Sequence, residues 1–256
     1  MNYFFFSKFN LKIKIILDNA GIGGLADSFY EYLLKLWLYK NKSDKKLLKT
    51  YLDAMNGVRD KLIRKSNNNF VYTGEYANNY LSAKMGHLAC YTGGLFALTA
   101  MYVDDLSDIE KIEYENLAKN ITLTCHQSYI MTNTRLGPES FSFYDNQGPV
   151  IGDRYYILRP EVIESYFYLW RMTKDPMYRD WAWDATMAIE KHCKADAGYA
   201  GIRDVNAVPA EKDDVQQSFF FAETLKYLYL IFSDDNEIPL NKYVFNTEAH
   251  PFLIRK

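Results

Sequence analysis

The chain has 256 residues, 48% of them hydrophobic and 24% charged, a balance that excludes intrinsic disorder and describes a soluble folded protein. Its 30 basic and 32 acidic side chains leave a formal net charge of -2, so no broad field draws it to nucleic acid or to an anionic membrane surface. Only 13 Gly and 7 Pro interrupt the sequence, which disfavours a sandwich or barrel of many short strands and predicts long helices.

Residues 3–17 are apolar but broken by Lys8, Lys12 and Lys14. That stretch is too short and too charged for a bilayer span, which needs roughly 20 apolar residues, and it has no signal-peptide cleavage pattern. No targeting segment is therefore expected in the chain as it stands. Tyr30, Leu33, Leu34, Trp37 and Leu38 recur at helical spacing, behind Ser28 and Glu31 at the spacing of a capping box. Leu47, Tyr51, Met55, Val58 and Leu62 define a second helix. The same periodicity predicts helices over 87–103, 108–131, 160–173, 176–193 and 215–233, with Pro160 and Pro176 in first turns, where a missing N–H costs nothing. The segments 132–158 and 194–214 are rich in Gly, Pro, Asn and Asp and read as surface loops. Residues 243–254 begin as a short strand. The fold class is all-α, and the wide apolar face running from Phe219, Phe220 and Phe221 through Leu225, Leu228 and Ile231 suits a larger helical array. Aromatic residues make up 16% of the chain, a figure that first of all means a well-filled core.

Asp27, Glu139 and Glu161 stand at or beside predicted helix starts. Alternate starts gather at one end of an array of antiparallel helix pairs, where carboxylates can do acid and base work on a glycosidic bond; each acid alone is equally explained by the helix dipole. Glu223 is embedded in Phe219-Phe220-Phe221-Ala222-Glu223-Thr224-Leu225, where a charge needs a partner, a cation or a ligand. Thr247 and Glu248 place hard oxygen donors side by side, which suits Ca²⁺ rather than Zn²⁺, without EF-hand spacing. The four histidines show neither HExxH nor paired-Cys spacing, so a transition-metal site is not expected and His87 by itself reads as structural. P-loop, GxGxxG and GxSxG patterns are absent, which removes phosphate-cofactor chemistry and serine hydrolysis. Cys90, Cys125 and Cys193 allow one internal disulfide and leave one thiol. The sequons at Asn41 and Asn120 weakly favour the secretory pathway.

Five motifs occur in order: Gly23-Gly24-Leu25-Ala26-Asp27-Ser28-Phe29-Tyr30-Glu31-Tyr32-Leu33, Lys84-Met85-Gly86-His87-Leu88, Leu136-Gly137-Pro138-Glu139, Tyr155-Tyr156-Ile157-Leu158-Arg159-Pro160-Glu161 and Phe245-Asn246-Thr247-Glu248-Ala249-His250-Pro251. Together with residues 218–235 they resemble the class I α-1,2-mannosidases, glycoside hydrolase family 47. Leu25, where endoplasmic-reticulum members carry Arg, is similar to the Golgi branch, which trims mannose from N-linked glycans. The resemblance covers residues 21–256 as a C-terminal portion of the catalytic domain and leaves residues 1–20 as an atypical N-terminal segment.

The resemblance implies a toroid of seven antiparallel helix pairs, an (α/α)7 barrel with roughly half of its helices present, closed by a short C-terminal β-hairpin. It implies an inverting, Ca²⁺-dependent hydrolysis in which Glu161 is the general base, Asp27 an essential catalytic acid and Glu139 a further acid in the site. Thr247 would bind Ca²⁺ through its hydroxyl and carbonyl, with Glu223 and Glu248 around the ion's water shell; those two acids, with His87, Arg159 and Phe219, would also line the mannose pocket. Cys90 and Cys125 match the family disulfide and leave Cys193 free. The implied partners are high-mannose N-linked glycans on glycoproteins, and the implied location is the Golgi lumen or membrane, with an anchor only in a longer form. The family's proton-donating glutamate belongs to an upstream half with no counterpart before Asp27. The alternative expectation is an inactive fragment or a glycan-binding remnant. On either reading the chain alone is expected to be unstable or to aggregate, because half a toroid leaves apolar faces in water at about 25 cal/mol per Å².

Overall fold

The computed structural model describes residues 19–144 and 148–256. The apolar stretch 3–17, and all but the last two residues of the segment 1–20, lie outside the described residues. A short strand β1 (Asn19–Ala20) leads into α1 (Asp27–Tyr39) and α2 (Lys45–Lys61). Five strands follow: β2 (Ile63–Lys65), β3 (Val71–Thr73), β4 (Glu75–Ala77), β5 (Tyr80–Ser82) and β6 (Lys84–Gly86). A 3-10 turn (His87–Tyr91) opens α3 (Thr92–Tyr102), and α4 (Asp108–Ile130), β7 (Ser140–Ser142) and β8 (Val150–Ile151) come next. The chain continues through α5 (Glu161–Thr173), α6 (Met177–His192), a π-helical turn (Phe220–Thr224), α7 (Leu225–Phe232), β9 (Tyr243–Phe245) and β10 (Pro251–Leu253). The fold is mostly helical, as expected, and β9 and β10 form the expected antiparallel hairpin.

Three further antiparallel sheets, β1-β4-β5, β2-β3 and β6-β7-β8, were not among the expected elements. Strands of two or three residues are too short to show an alternating pattern. Segment 132–158 also differs from a surface loop: it buries Leu136, Phe141, Phe143, Tyr156 and Leu158. Turn residues mark where a chain bends; they do not say whether the bends are covered.

Helix starts have identifiable causes. Asp44 caps α2 by accepting from the Leu47 amide at 3.1 Å, and Ser107 and Glu110 form a full capping box on α4. The box expected at Ser28 and Glu31 does not form. Asp27 itself accepts from the Ser28 amide at 2.8 Å, and Glu31 turns inward to pair with Lys35. The helix predicted over 215–233 is shorter, because residues 215–217 are non-helical.

The core centres on α3, whose residues 92–99 are all buried between α4 and α5. Such close approach requires glycine twice: a Cβ at Gly93 would fall 2.1 Å from Thr122 Oγ1, and one at Gly94 would fall 2.6 Å from Tyr168 Cδ2. A disulfide between Cys90 and Cys125 ties the 3-10 turn to α4, while Cys193 is buried and free. Helix α1 packs on α2, α3 and β9 but leaves Phe29, Tyr32 and Leu36 exposed along one strip. Among the described residues no helix is long and apolar enough to cross a membrane.

Candidate active site

The register between β6 and β7 sets Gly86 opposite Ser140, and the His87 amide donates to the Glu139 carbonyl at 2.8 Å. His87 and Glu139 therefore enter the site side by side. Leu158, at φ +66, reverses the chain just before Arg159, and Glu161 opens α5 behind Pro160. These local turns aim four polar side chains at one another.

His87 is buried, with Nδ1 2.8 Å from Glu161 Oε2 and Nε2 2.8 Å from the Tyr129 hydroxyl. A neutral ring satisfies both contacts when Nδ1–H donates to the carboxylate and Nε2 accepts from Tyr129. His87 is thus a bridge between Tyr129 and Glu161. Arg159 donates through Nε and Nη2 to both oxygens of Glu139, at 2.6 and 2.7 Å, while Nη1 lies 3.8 Å from Glu161 Oε1. Its guanidinium stands 6.0 Å from the Phe219 ring centre. Burial pulls the Arg159 pKa down, but the bond to Glu139 and the charges of Glu161 and Glu139 raise it above its ordinary value. Asp27, the first residue of α1, has its carboxyl pKa raised by burial, against the lowering bond from the Ser28 amide; the charge of Glu161 adds to the rise.

A second group of acids lies beneath the first. Lys35 donates to Glu31 Oε2 at 2.5 Å and to Glu164 Oε1 at 3.4 Å, and Tyr227 donates to Glu164 Oε1 at 3.1 Å. All of these side chains are buried. Glu164 is pushed up to about 7 by burial, opposed by Lys35 and helped by Glu31 and Glu161. Glu223, held inside the π-helical turn, is pushed up to about 9 by burial and then by the charges of Glu164, Glu161 and Glu248. Fully ionised, this acid cluster would carry more negative charge than the single buried lysine beside it could balance, and the raised pKa values of its carboxyls follow from that.

The turn between β9 and β10 closes over this cluster. Asn246 Oδ1 accepts from the amides of Glu248 and His250 at 2.9 and 2.8 Å, and the Thr247 hydroxyl donates to Tyr32 Oη at 3.3 Å. Glu248 is exposed. Among the described residues no three His, Cys, Asp or Glu side chains converge as direct metal ligands. Leu25 projects fully into solvent at φ +74, two residues before Asp27.

His87, Glu139, Arg159, Glu161 and Phe219 thus form one connected group, and Asp27, Glu223 and Glu248 are coupled to it electrostatically. The Thr247 hydroxyl meets Tyr32, and its turn meets the second group of acids through the Asn246 carbonyl, which accepts from Lys35 at 3.4 Å. Sequence reasoning missed Glu31, Lys35, Tyr129 and Glu164. The available signal was periodicity: Asp27, Glu31 and Lys35 repeat every fourth residue on one helix face, and Glu161 and Glu164 are three apart. Two shallow recesses, one beside Arg59 and Glu113 and one beside Lys40 and Arg255, lie away from all of these residues.

The profile of glycosyl hydrolase family 47 matches residues 6–254. Over 239 residues the sequence is 52% identical to mannosyl-oligosaccharide 1,2-alpha-mannosidase IA of Sus scrofa, spanning 92% of this chain and 36% of that protein. Over 241 residues it is 50% identical to mannosyl-oligosaccharide alpha-1,2-mannosidase IA of Drosophila melanogaster, spanning 93% of this chain and 36% of that protein. The alpha-1,2-mannosidase from Trichoderma reesei superposes with a TM-score of 0.84 at 31% identity, over 93% of this chain and 53% of that one. The chain therefore spans just over a third of the length of these curated relatives and about half of the solved structure.

Proposed function

The chain belongs to glycosyl hydrolase family 47, and from that premise we propose that residues 21–256 form the C-terminal portion of a catalytic domain that removes terminal α-1,2-linked mannose from high-mannose N-glycans. The observation that carries this reading is the linked set Tyr129, His87, Glu161, Arg159 and Glu139 beside Asp27. Glu161 is the general base. His87 and Arg159 fix the direction of its carboxylate, which takes a proton from the water that attacks the anomeric carbon. Asp27 supplies a second carboxyl group in the site, its pKa raised by burial, and an inverting hydrolysis works with two carboxyl groups set apart around the sugar. Phe219 offers its ring to the apolar C–H face of the pyranose, and Arg159 and Glu139 offer hydrogen bonds to its hydroxyls.

The donor chemistry fits a hard divalent cation, because four buried carboxylates, Glu31, Glu161, Glu164 and Glu223, share this region with one buried lysine. Ca²⁺ would be held by the hydroxyl and carbonyl of Thr247, with Glu223 and Glu248 contacting its water shell. When bound, it would supply positive charge that anchors sugar hydroxyls. The same reading places the protein in the Golgi lumen or on its membrane, where N-glycans are trimmed.

The test is release of mannose from a Man9 oligosaccharide by the chain in Ca²⁺, with the anomer first released followed by NMR. The proposal predicts β-mannose, and E161Q is expected to lower the rate roughly 100- to 10,000-fold. The alternative outcome is glycan binding without hydrolysis. Calorimetric binding of a mannose-site inhibitor with no release of mannose would select that reading.

A further inference from the structure

We propose that Lys35 and Lys226 are positioning residues that hold the two carbonyls flanking Thr247 and Glu248, and so fix the turn in which the Thr247 oxygens would meet a cation. The inference rests on the Ca²⁺ reading above and concerns how that site is kept in shape.

Lys35 comes from α1 and donates to the Asn246 carbonyl at 3.4 Å; Lys226 comes from α7 and donates to the Ala249 carbonyl at 2.7 Å. The two contacts bracket the segment from opposite ends. Ala249 sits at φ +53, a left-handed conformation that a β-carbon disfavours, so the turn must be held from outside. Asn246 holds it from within by accepting from the Glu248 and His250 amides. The Asn246 carbonyl also accepts from the Ala249 amide, and the His250 carbonyl accepts from Asn246. Among the described residues the Thr247 carbonyl accepts no hydrogen bond.

Two ammonium groups near a cation site have the wrong sign to attract the ion. If charge were their only effect, removing either would tighten cation binding. If they act by fixing the turn, removing either loosens it. The direction of the change therefore separates the two accounts. Lys226 is the cleaner probe because it is only partly buried, whereas Lys35 also balances Glu31 and Glu164, and its loss endangers the fold.

The experiment titrates the full chain with Tb³⁺, whose luminescence Tyr32 can sensitise because its hydroxyl accepts from Thr247, and then displaces Tb³⁺ with Ca²⁺. K226M is expected to weaken Ca²⁺ binding about 10-fold or more, with K226R recovering part of the loss. The melting temperature of K226M in EDTA should match that of the parent. Unchanged or tighter binding by K226M overturns the clamp while leaving the cation reading intact. Failure of the unaltered chain to bind Tb³⁺ or Ca²⁺ overturns the cation reading and the clamp with it.

Discussion

Replacing Glu223 by Gln should make the cation-free protein more stable at neutral pH, although it removes a titratable residue from the candidate site. Glu223 is buried at 7% exposure, and its pKa is raised from 4.5 to about 9, first by burial and then by Glu164, Glu161 and Glu248. Because the folded value lies above the unfolded one, the stability this carboxyl contributes is complete below about 4.5 and is lost as pH rises towards about 9. Between 4.5 and pH 7 the loss is about 1.4 kcal/mol per pH unit, a ceiling of roughly 3 kcal/mol. Gln keeps the shape and has no proton to lose. At pH 7 in EDTA, E223Q should therefore exceed the parent by up to roughly 3 kcal/mol, or about 6–12 °C in Tm, and the two should converge near pH 4.5. Urea melts at pH 5, 7 and 8.5 would measure this. Adding Ca²⁺ should narrow the gap, since a divalent ion stabilises only the ionised carboxyl. If E223Q is less stable than the parent at pH 7, or the gap does not grow with pH, the electrostatic reasoning about this cluster is wrong.

Removing the Cys90–Cys125 disulfide by a double Ala substitution should cost about 3–4 kcal/mol, because the bond closes a loop of 35 residues in the unfolded chain; urea melts of both forms would measure it. His126 stacks on Trp181 at 3.8 Å, and its pKa is lowered to about 4 by burial and then by Arg135. The stability it contributes is present above about 6.5 and is lost as pH falls through about 4, so an acid limb of up to roughly 3 kcal/mol should appear and should flatten in H126F. Phe29, Tyr32 and Leu36 form an exposed strip on α1 and should drive self-association; F29Q with L36K should lower the sedimenting mass without lowering the melting temperature.

Long elements were legible in the sequence because their periodicity extends over many residues. Helix α4 was expected over 108–131 and runs Asp108–Ile130; α5 and α6 are as close to their expected bounds. The small sheets were not legible, since pairs such as β6 with β7 depend on partners more than fifty residues apart. Those sheets matter, because the β6–β7 pairing is what sets His87 beside Glu139. In the site, single acids at helix starts were visible, but their meaning depended on neighbours that no spacing reveals. His87 illustrates this: alone it read as a structural histidine, and in the fold it joins Tyr129 to Glu161. Glu31 shows the opposite case. Its spacing from Ser28 fitted a capping box, yet the pull of Lys35 one turn later on a buried face prevailed. A buried acid next to a lysine gains more from pairing than from capping an exposed helix end.

Among the described residues, Glu161 meets His87 from the 3-10 turn and Arg159 from the segment leading into α5, and Tyr129 from α4 holds His87. The turn that carries Thr247 is likewise held by α1 and α7. Orientation of the proposed base and shaping of the proposed cation turn therefore rest on the described residues. Proton donation to the leaving sugar is a separate requirement, since it needs a protonated group on the far face of the glycosidic oxygen. Binding and turnover depend on different parts of the site, so a variant that lowers cation affinity through Lys226 should lower ligand binding in parallel. E161Q, which leaves Lys35, Lys226 and the Thr247 turn in place, should lower turnover far more than it lowers cation binding.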